Sequence, residues 1–269
     1  MTSSQAFEAA AYRKVDWRLI PFLFLCYIVA YLDRVNVGFA KLQMSSDLSL
    51  SDAAFATGAG IFFIGYFFFE VPSNIALKKF GARMWIMRIM VTWGVVSSAM
   101  IFVRGEWSFY TIRFILGLAE AGFFPGVIYY LTIWYPSDRR STRTAWFVTA
   151  IPLAGVIGNP ISGAIMDLSS GAYGLAGWQW LFLLEGVPSI IVGVWVMYYL
   201  DSNIEEAAWL TADEKALLNR NLQAEETQKL TYPLIFTRCR RPERKLGFGV
   251  EGFEIARREG AARPLACWG

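Results

Sequence analysis

The sequence predicts an all-α membrane protein, a bundle of six transmembrane helices. Three observations carry that prediction. The 269 residues are 55% hydrophobic and 17% charged, with a mean hydropathy of +0.39, where soluble domains run about 45–50% apolar and about 25% charged. The apolar residues gather into six runs, each near the roughly 20 residues that a helix needs to cross a bilayer. Lys and Arg crowd alternate loops between those runs, as they do in polytopic proteins. A backbone in lipid must satisfy its own hydrogen bonds, so each run reads as a helix rather than a strand.

Residues 1–16 form a polar leader without a small-residue cleavage site, so the first run reads as a retained span and not as a secretory signal. That first span, Trp17–Phe39, contains "FLFLCYIVAYLDRVNVGFA", which sets Asp33 and Arg34 inside an apolar run. An ionised side chain at the centre of a membrane helix costs about 3 kcal/mol on insertion scales, so the pair requires an explanation. The second span, Ala53–Leu77, carries Tyr66 and, toward its end, Glu70, which reads as an anchor for a neighbouring helix. A basic loop with Lys78, Lys79, Gly81 and Arg83 leads to the third span, Ile86–Val103.

The fourth span, Phe109–Ile133, holds Arg113 and Glu120. Seven residues make two helical turns, about 10 Å, so the two share a face. Gly117, Gly122 and Gly126 give this span small-residue spacing, and Pro125 is able to break its hydrogen-bond ladder. The fifth span, Arg143–Met166, repeats the pattern with Pro152, Pro160 and several glycines. Interrupted membrane helices usually line a cavity. The sixth span, Trp178–Leu200, carries Glu185, read as a structural carboxylate pairing with a loop. A charged linker follows over residues 201–229, with a helical pattern in "TADEKALLNRNLQ". Residues 230–269 have eight Lys or Arg against four Glu and no span, and read as a basic, disordered or out-of-frame tail.

The Lys/Arg bias orients the bundle. One side holds Arg13, Lys14, Arg18, Lys78, Lys79, Arg83, Arg88, Arg139, Arg140 and Arg143; the other holds Lys41 and Arg104. The basic side is expected in the cytoplasm with both termini, the spans crossing the cell (inner or plasma) membrane. The composition also excludes chemistries. The chain has no His and three scattered Cys, at positions 26, 239 and 267. That leaves no His-ligated haem or metal, no His proton relay and no disulfide framework. No nucleophile–base set or phosphate-loop pattern is present, so neither an enzyme nor a resident cofactor is expected, and no nucleic-acid-binding fold accompanies the basic tail.

Any proton chemistry therefore falls to carboxylates. With the first span running outward and the fourth inward, Asp33 and Arg34 come to a depth that permits a ladder of alternating charge with Arg113 and Glu120. Buried ion pairs contribute little to stability, and ionisable groups inside membrane helices point by default to function. The first and fourth spans open two successive triplets, and each carries an arginine and an acid, which suggests a 3+3 inverted repeat around a central site.

The stretches "YLDRVNVGFA", "GYFFFEVPSNIALKKFGARMWIMRI", "RFILGLAEAGFFPGVIYYLTIWYP", "GWQWLFLLEGVPSIIVGV" and "AAWLTADEK" resemble the amino-terminal half of a major facilitator superfamily transporter, and more closely the anion:cation symporter family, over Asp16 to Lys215. That family includes permeases for sugar acids, tartrate and aromatic acids. The resemblance implies that Asp33 and Glu120 are proton-coupling carboxylates, that Arg34 and Arg113 hold the organic anion, and that Tyr66 touches it. It also implies a cytoplasmic gate at Lys78, Lys79, Gly81 and Arg83. Asn74 and Lys78 stand where the superfamily's loop pattern has Gly and Asp. Such transporters have twelve spans, so this chain is expected to be a truncated product that lacks the carboxyl half.

Overall fold

The computed structural model describes residues 3–238, and the described residues contain helices and no strand. The helices are α1 (Ser3–Asp47), α2 (Asp52–Phe80), α3 (Ala82–Ser98, continued by a 3-10 turn to Phe102), α4 (Glu106–Glu120), α5 (Phe123–Trp134), α6 (Ser137–Val148), α7 (Ala150–Ser169), α8 (Gly177–Tyr199) and α9 (Ala212–Arg238). Among the described residues, six segments are long and apolar enough to cross a membrane: α1, α2, α3 with its turn, α4–α5, α6–α7 and α8. Two compact units divide the chain after Glu225; the first contains all six spans, and the second is, among the described residues, the last part of α9.

Several boundaries differ from the sequence reading, each for a local reason. The first span is the middle of a 45-residue helix that absorbs the polar leader. The loop expected after the second span shrinks to Gly81: Lys78 and Lys79 occupy the last turn of α2, where cations favour the negative end of the helix dipole, and α3 starts at Ala82. Gly81 makes this turn with φ +85°, a conformation glycine adopts without steric cost.

The fourth span breaks between Ala121 and Gly122 rather than at Pro125. Pro125 is the third residue of α5, where its missing N–H has no intrahelical acceptor to lose. Gly122 takes φ +89°, and a Cβ there would collide with the Ser73 side chain. The fifth span divides at Thr149, three residues before Pro152, whose missing N–H leaves the Val148 carbonyl without its helical donor. The tail expected over residues 230–269 lies outside the described residues from Cys239 onward; α9 runs as far as Arg238.

Packing follows the repeat. The principal helix pairs are α3 with α8, α2 with α4, α1 with α7, α1 with α8, and α3 with α4. Numbered by span, these are 3–6, 2–4, 1–5, 1–6 and 3–4. Exchanging spans 1, 2, 3 with 4, 5, 6 maps this set onto itself, as a 3+3 inverted repeat requires. The second and fourth spans touch backbone to backbone. A Cβ on Gly65 would stand 2.5 Å from the Phe114 carbonyl, and one on Gly117 would overlap the Phe62 carbonyl, the close approach that small residues permit in membrane helices. The outer face of α2 leaves Phe63, Phe67, Phe68, Val71 and Ile75 exposed, a surface suited to lipid.

The two ends of the bundle are tied differently. At the basic end, Lys14 meets Glu214 at 2.5 Å, Arg139 meets Glu8 at 2.8 Å and Arg143 meets Asp16 at 2.7 Å. Thr211 and Glu214 form a reciprocal N-terminal capping box on α9: the Glu214 carboxylate accepts from Thr211 N–H at 2.9 Å and Glu214 N–H donates to Thr211 Oγ1 at 3.3 Å. At the opposite end, Trp178 Nε1 donates to Asp47 at 2.9 Å, and Lys41 faces Asp52 at 3.0 Å.

Candidate functional site

The buried charges meet where the fourth span breaks. Glu120 is the last residue of α4, and the chain leaves the helix immediately after it. Ser73 of α2 bridges the break by donating to the Ala121 carbonyl at 2.7 Å, while Trp85 Nε1 of α3 donates to Ser73 Oγ at 2.9 Å. One carbonyl freed by the interruption thus gains a side-chain partner inside the bundle.

Across the break, Arg34 of α1 pairs with Glu120, Nη2 to Oε1, at 2.5 Å. The Arg34 guanidinium also lies over Tyr66 at 5.5 Å and over Phe62 at 5.9 Å from the ring centres. Arg113 is buried one layer along α4, with its guanidinium 4.7 Å above the Phe62 ring. It is near enough to Asp33, Glu120 and Arg34 to interact electrostatically, but among the described residues it makes no ion pair and its Nε has no hydrogen-bond partner. Phe62 therefore presents π-density to both arginines.

Asp33 corrects the expected ladder. Among the described residues its carboxylate makes no ion pair with Arg113, though the two interact electrostatically; it is held from α3, where Ser97 Oγ donates to Oδ1 and Trp93 Nε1 donates to Oδ2. The reason is helical geometry. Adjacent residues lie about 100° apart around the axis, so Asp33 takes its hydrogen bonds from α3 while Arg34 pairs with Glu120 of α4. Among the described residues there is one rung, Arg34–Glu120, and a separate carboxylate held by two neutral donors.

The remaining expected residues divide. Tyr66 stands at the site, half buried beside Arg34. Glu70 lies one turn further along α2, close enough to Tyr66 to interact electrostatically. Lys78, Lys79, Gly81 and Arg83 stay at the basic end: Lys78 and Lys79 are exposed, and Arg83 donates to the Met197 carbonyl of α8 and faces Glu206 at 3.8 Å. Glu185 does not pair with a loop. It is buried among α1, α7 and α8, where its Oε1 lies 2.9 Å from Ser162 Oγ. Trp93, Ser97, Phe62 and Ser73 escaped the sequence reading. The signal available for the first two was the i, i+4 spacing of hydrogen-bonding side chains on one face of an apolar span.

Among the described residues no cluster of three or more His, Cys, Asp or Glu side chains is arranged to hold a metal ion. The chemistry available is charge and proton exchange. With both acids ionised, Asp33 and Glu120 balance Arg34 and Arg113; each proton taken up leaves one positive charge uncompensated.

The sequence matches the family profile described as Major Facilitator Superfamily over residues 23–253. A putative tartrate transporter of Agrobacterium vitis is 54% identical over 222 residues, covering 82% of this chain and 51% of that protein. A putative metabolite transport protein, NicT, of Pseudomonas putida is 54% identical over 219 residues, covering 81% of this chain and 50% of its own length. This chain spans about half the length of these relatives. Among solved structures, a bacterial homologue of the human lysosomal transporter Spinster, inward-facing and occupied, superposes with a TM-score of 0.63 at 19% identity, over 68% of this chain and 44% of that one; at that identity the likeness speaks for the fold alone.

Proposed function

The chain belongs to the major facilitator superfamily, and from that premise we propose that it forms the amino-terminal half of a proton symporter for a small organic anion, a carboxylate such as tartrate, a sugar acid or an aromatic acid. It works in the cell membrane, with both termini in the cytoplasm, by alternating access. The observation that carries this reading is the Arg34–Glu120 pair at the break in the fourth span.

Arginine receives carboxylates through paired N–H donors and stays charged at any physiological pH. In the described conformation Glu120 occupies Arg34. Protonating Glu120 removes that internal competitor and leaves Arg34 free to bind the anion, with Arg113 adding positive charge behind the Phe62 ring. Asp33, already stabilised by Trp93 and Ser97, is the second proton-coupling carboxylate, and Tyr66 lines the anion's approach beside Arg34. Proton and anion then enter together, and release of the proton restores the internal pair and expels the anion. Lys78, Lys79, Gly81 and Arg83 serve the cytoplasmic gate from the basic end. The likeness to a putative tartrate transporter of Agrobacterium vitis supports a carboxylate as cargo.

Alternating access needs two bundles rocking against each other. A second reading follows from the chain's spanning about half of its relatives' length: alone, it binds the anion without transporting it, and transport requires a carboxyl-half partner. The test uses proteoliposomes containing this chain, with and without the carboxyl half of the tartrate relative, and measures uptake of labelled tartrate under an imposed proton or sodium gradient. Proton-driven uptake abolished in Glu120→Gln supports symport. Uptake that follows sodium, or is indifferent to Glu120→Gln, overturns it.

A further inference from the structure

A third buried carboxylate sits outside the charge cluster. Glu185 of α8 is 5% exposed, Asn36 of α1 is 0% exposed and Ser162 of α7 is 1% exposed, and the three meet where their helices join. Ser162 Oγ lies 2.9 Å from Glu185 Oε1 and 3.2 Å from Asn36 Oδ1. Among the described residues Glu185 Oε2 and Asn36 Nδ2 complete no hydrogen bond, though the Asn36 side chain stands close enough to the Glu185 carboxyl to interact with it.

The proton count of this triad constrains its charge. Ser162 has a single hydroxyl hydrogen, yet its oxygen faces two acceptor oxygens. If Glu185 were ionised, one of those contacts would set lone pairs against lone pairs. With a proton on Glu185, both contacts become hydrogen bonds: Glu185 donates to Ser162 Oγ, and Ser162 donates to Asn36 Oδ1. Turning the Asn36 amide over satisfies an ionised triad only in part. Among the described residues, Glu185 would then be a buried anion with one neutral donor, an unpartnered Oε2 and no cation in ion-pair distance, an arrangement far more costly than a neutral acid. The other buried acids differ in this respect. Asp33 has a donor on each oxygen, and Glu120 has Arg34.

We propose that Glu185 is a third protonation site of the bundle, a neutral carboxylic acid hydrogen-bonded through Ser162 to Asn36, one helical turn beyond Asp33. Of the titratable groups on the helices packed against it, Asp33 of α1 alone is near enough to interact with it electrostatically; the partners from α1 and α7, Asn36 and Ser162, do not titrate.

The test is infrared spectroscopy of the full chain in lipid nanodiscs at neutral pH in potassium buffer, reading the carbonyl stretch of protonated carboxylic acids. Wild type should show a component that Glu185→Gln lacks, and that Ser162→Ala shifts by removing its hydrogen-bond acceptor. The component should be unchanged when sodium replaces potassium. Spectra of wild type and Glu185→Gln that superimpose overturn the proposal. So does a component that vanishes on adding sodium, which would mean an ionised Glu185 holding a cation. If Glu185→Gln does not accumulate folded, Ser162→Ala decides: a shifted component supports the proposal, and an unmoved one overturns it.

Discussion

Arg34 and Glu120 approach to 2.5 Å, yet the arginine side chain is 36% exposed and the glutamate 6%. The asymmetry gives the pair a direction. A ligand arriving from the open side meets the guanidinium first and finds the carboxylate already behind it. Competition between an internal and an external carboxylate for one guanidinium is then set by whether the internal one carries a proton.

Glu120→Gln should therefore mimic the protonated site. Carboxylate binding at neutral pH is expected to tighten by about tenfold, near 1.4 kcal/mol, and to lose its dependence on pH. Equilibrium binding of labelled tartrate across a pH series checks both. Unchanged affinity together with an unchanged pH profile would remove Glu120 from the coupling step.

Most of the architecture was legible because the bilayer imposes length and composition on every span. The buried acids and arginines were legible for the same reason: ions stand out in apolar runs. What was not legible was direction. Nothing in "YLDRVN" says that Asp33 turns to Trp93 and Ser97 while Arg34 turns to Glu120, because that depends on how α1 is rotated against α3 and α4. The break in the fourth span was visible as an excess of Gly and Pro, but its position at Gly122 is set by the Ser73 side chain, which is distant in sequence. Glu185 reads from sequence as a structural carboxylate pairing with a loop because its partners, Asn36 and Ser162, are uncharged and come from two other spans.

Trp93→Phe keeps the aromatic bulk against Phe123 but deletes the donor to Asp33 Oδ2. Leaving a buried acceptor unsatisfied costs about 1–3 kcal/mol. Ser97→Ala deletes the other donor and should cost a similar amount. Adding Asp33→Asn to either variant should recover part of the loss, since the amide lacks the charge those donors stabilise. Thermal unfolding in detergent measures the series. Independent, additive losses with no recovery would mean that the donors serve packing rather than the carboxylate.

The contact between the second and fourth spans makes a sharper prediction. A methyl group on Gly117 would overlap the Phe62 backbone carbonyl, which cannot rotate away, whereas one on Gly60 of the same α2 meets nothing within 4 Å. Gly117→Ala should destabilise the bundle by about 1–3 kcal/mol. Gly60→Ala should be neutral or stabilising by up to about 1 kcal/mol through helix propensity. Comparing their unfolding midpoints under identical detergent separates steric exclusion from the general effect of adding a methyl group to a membrane helix.

Lys14 and Glu214 hold the start of α9 to the start of α1. Burial pushes the Glu214 carboxyl up, but the hydrogen bond from Lys14 and the backbone and hydroxyl contacts of Thr211 outweigh it and hold it below its ordinary value. A carboxyl depressed in the folded state binds protons less readily there than when unfolded, so its contribution to stability is complete above the ordinary glutamate range and is lost as pH falls through the depressed value. Acid should thus release α9 before it unfolds the spans. Fluorescence of a probe on the exposed Arg220 side of α9 is expected to report an acidic transition in wild type. Glu214→Gln should lack that transition and resemble, at neutral pH, the acid form of the wild type. Lys14→Met should leave a transition nearer the ordinary glutamate range, since the Thr211 contacts remain while the cation is gone. A wild-type transition that survives Glu214→Gln unchanged would show that Glu214 does not hold α9 in place.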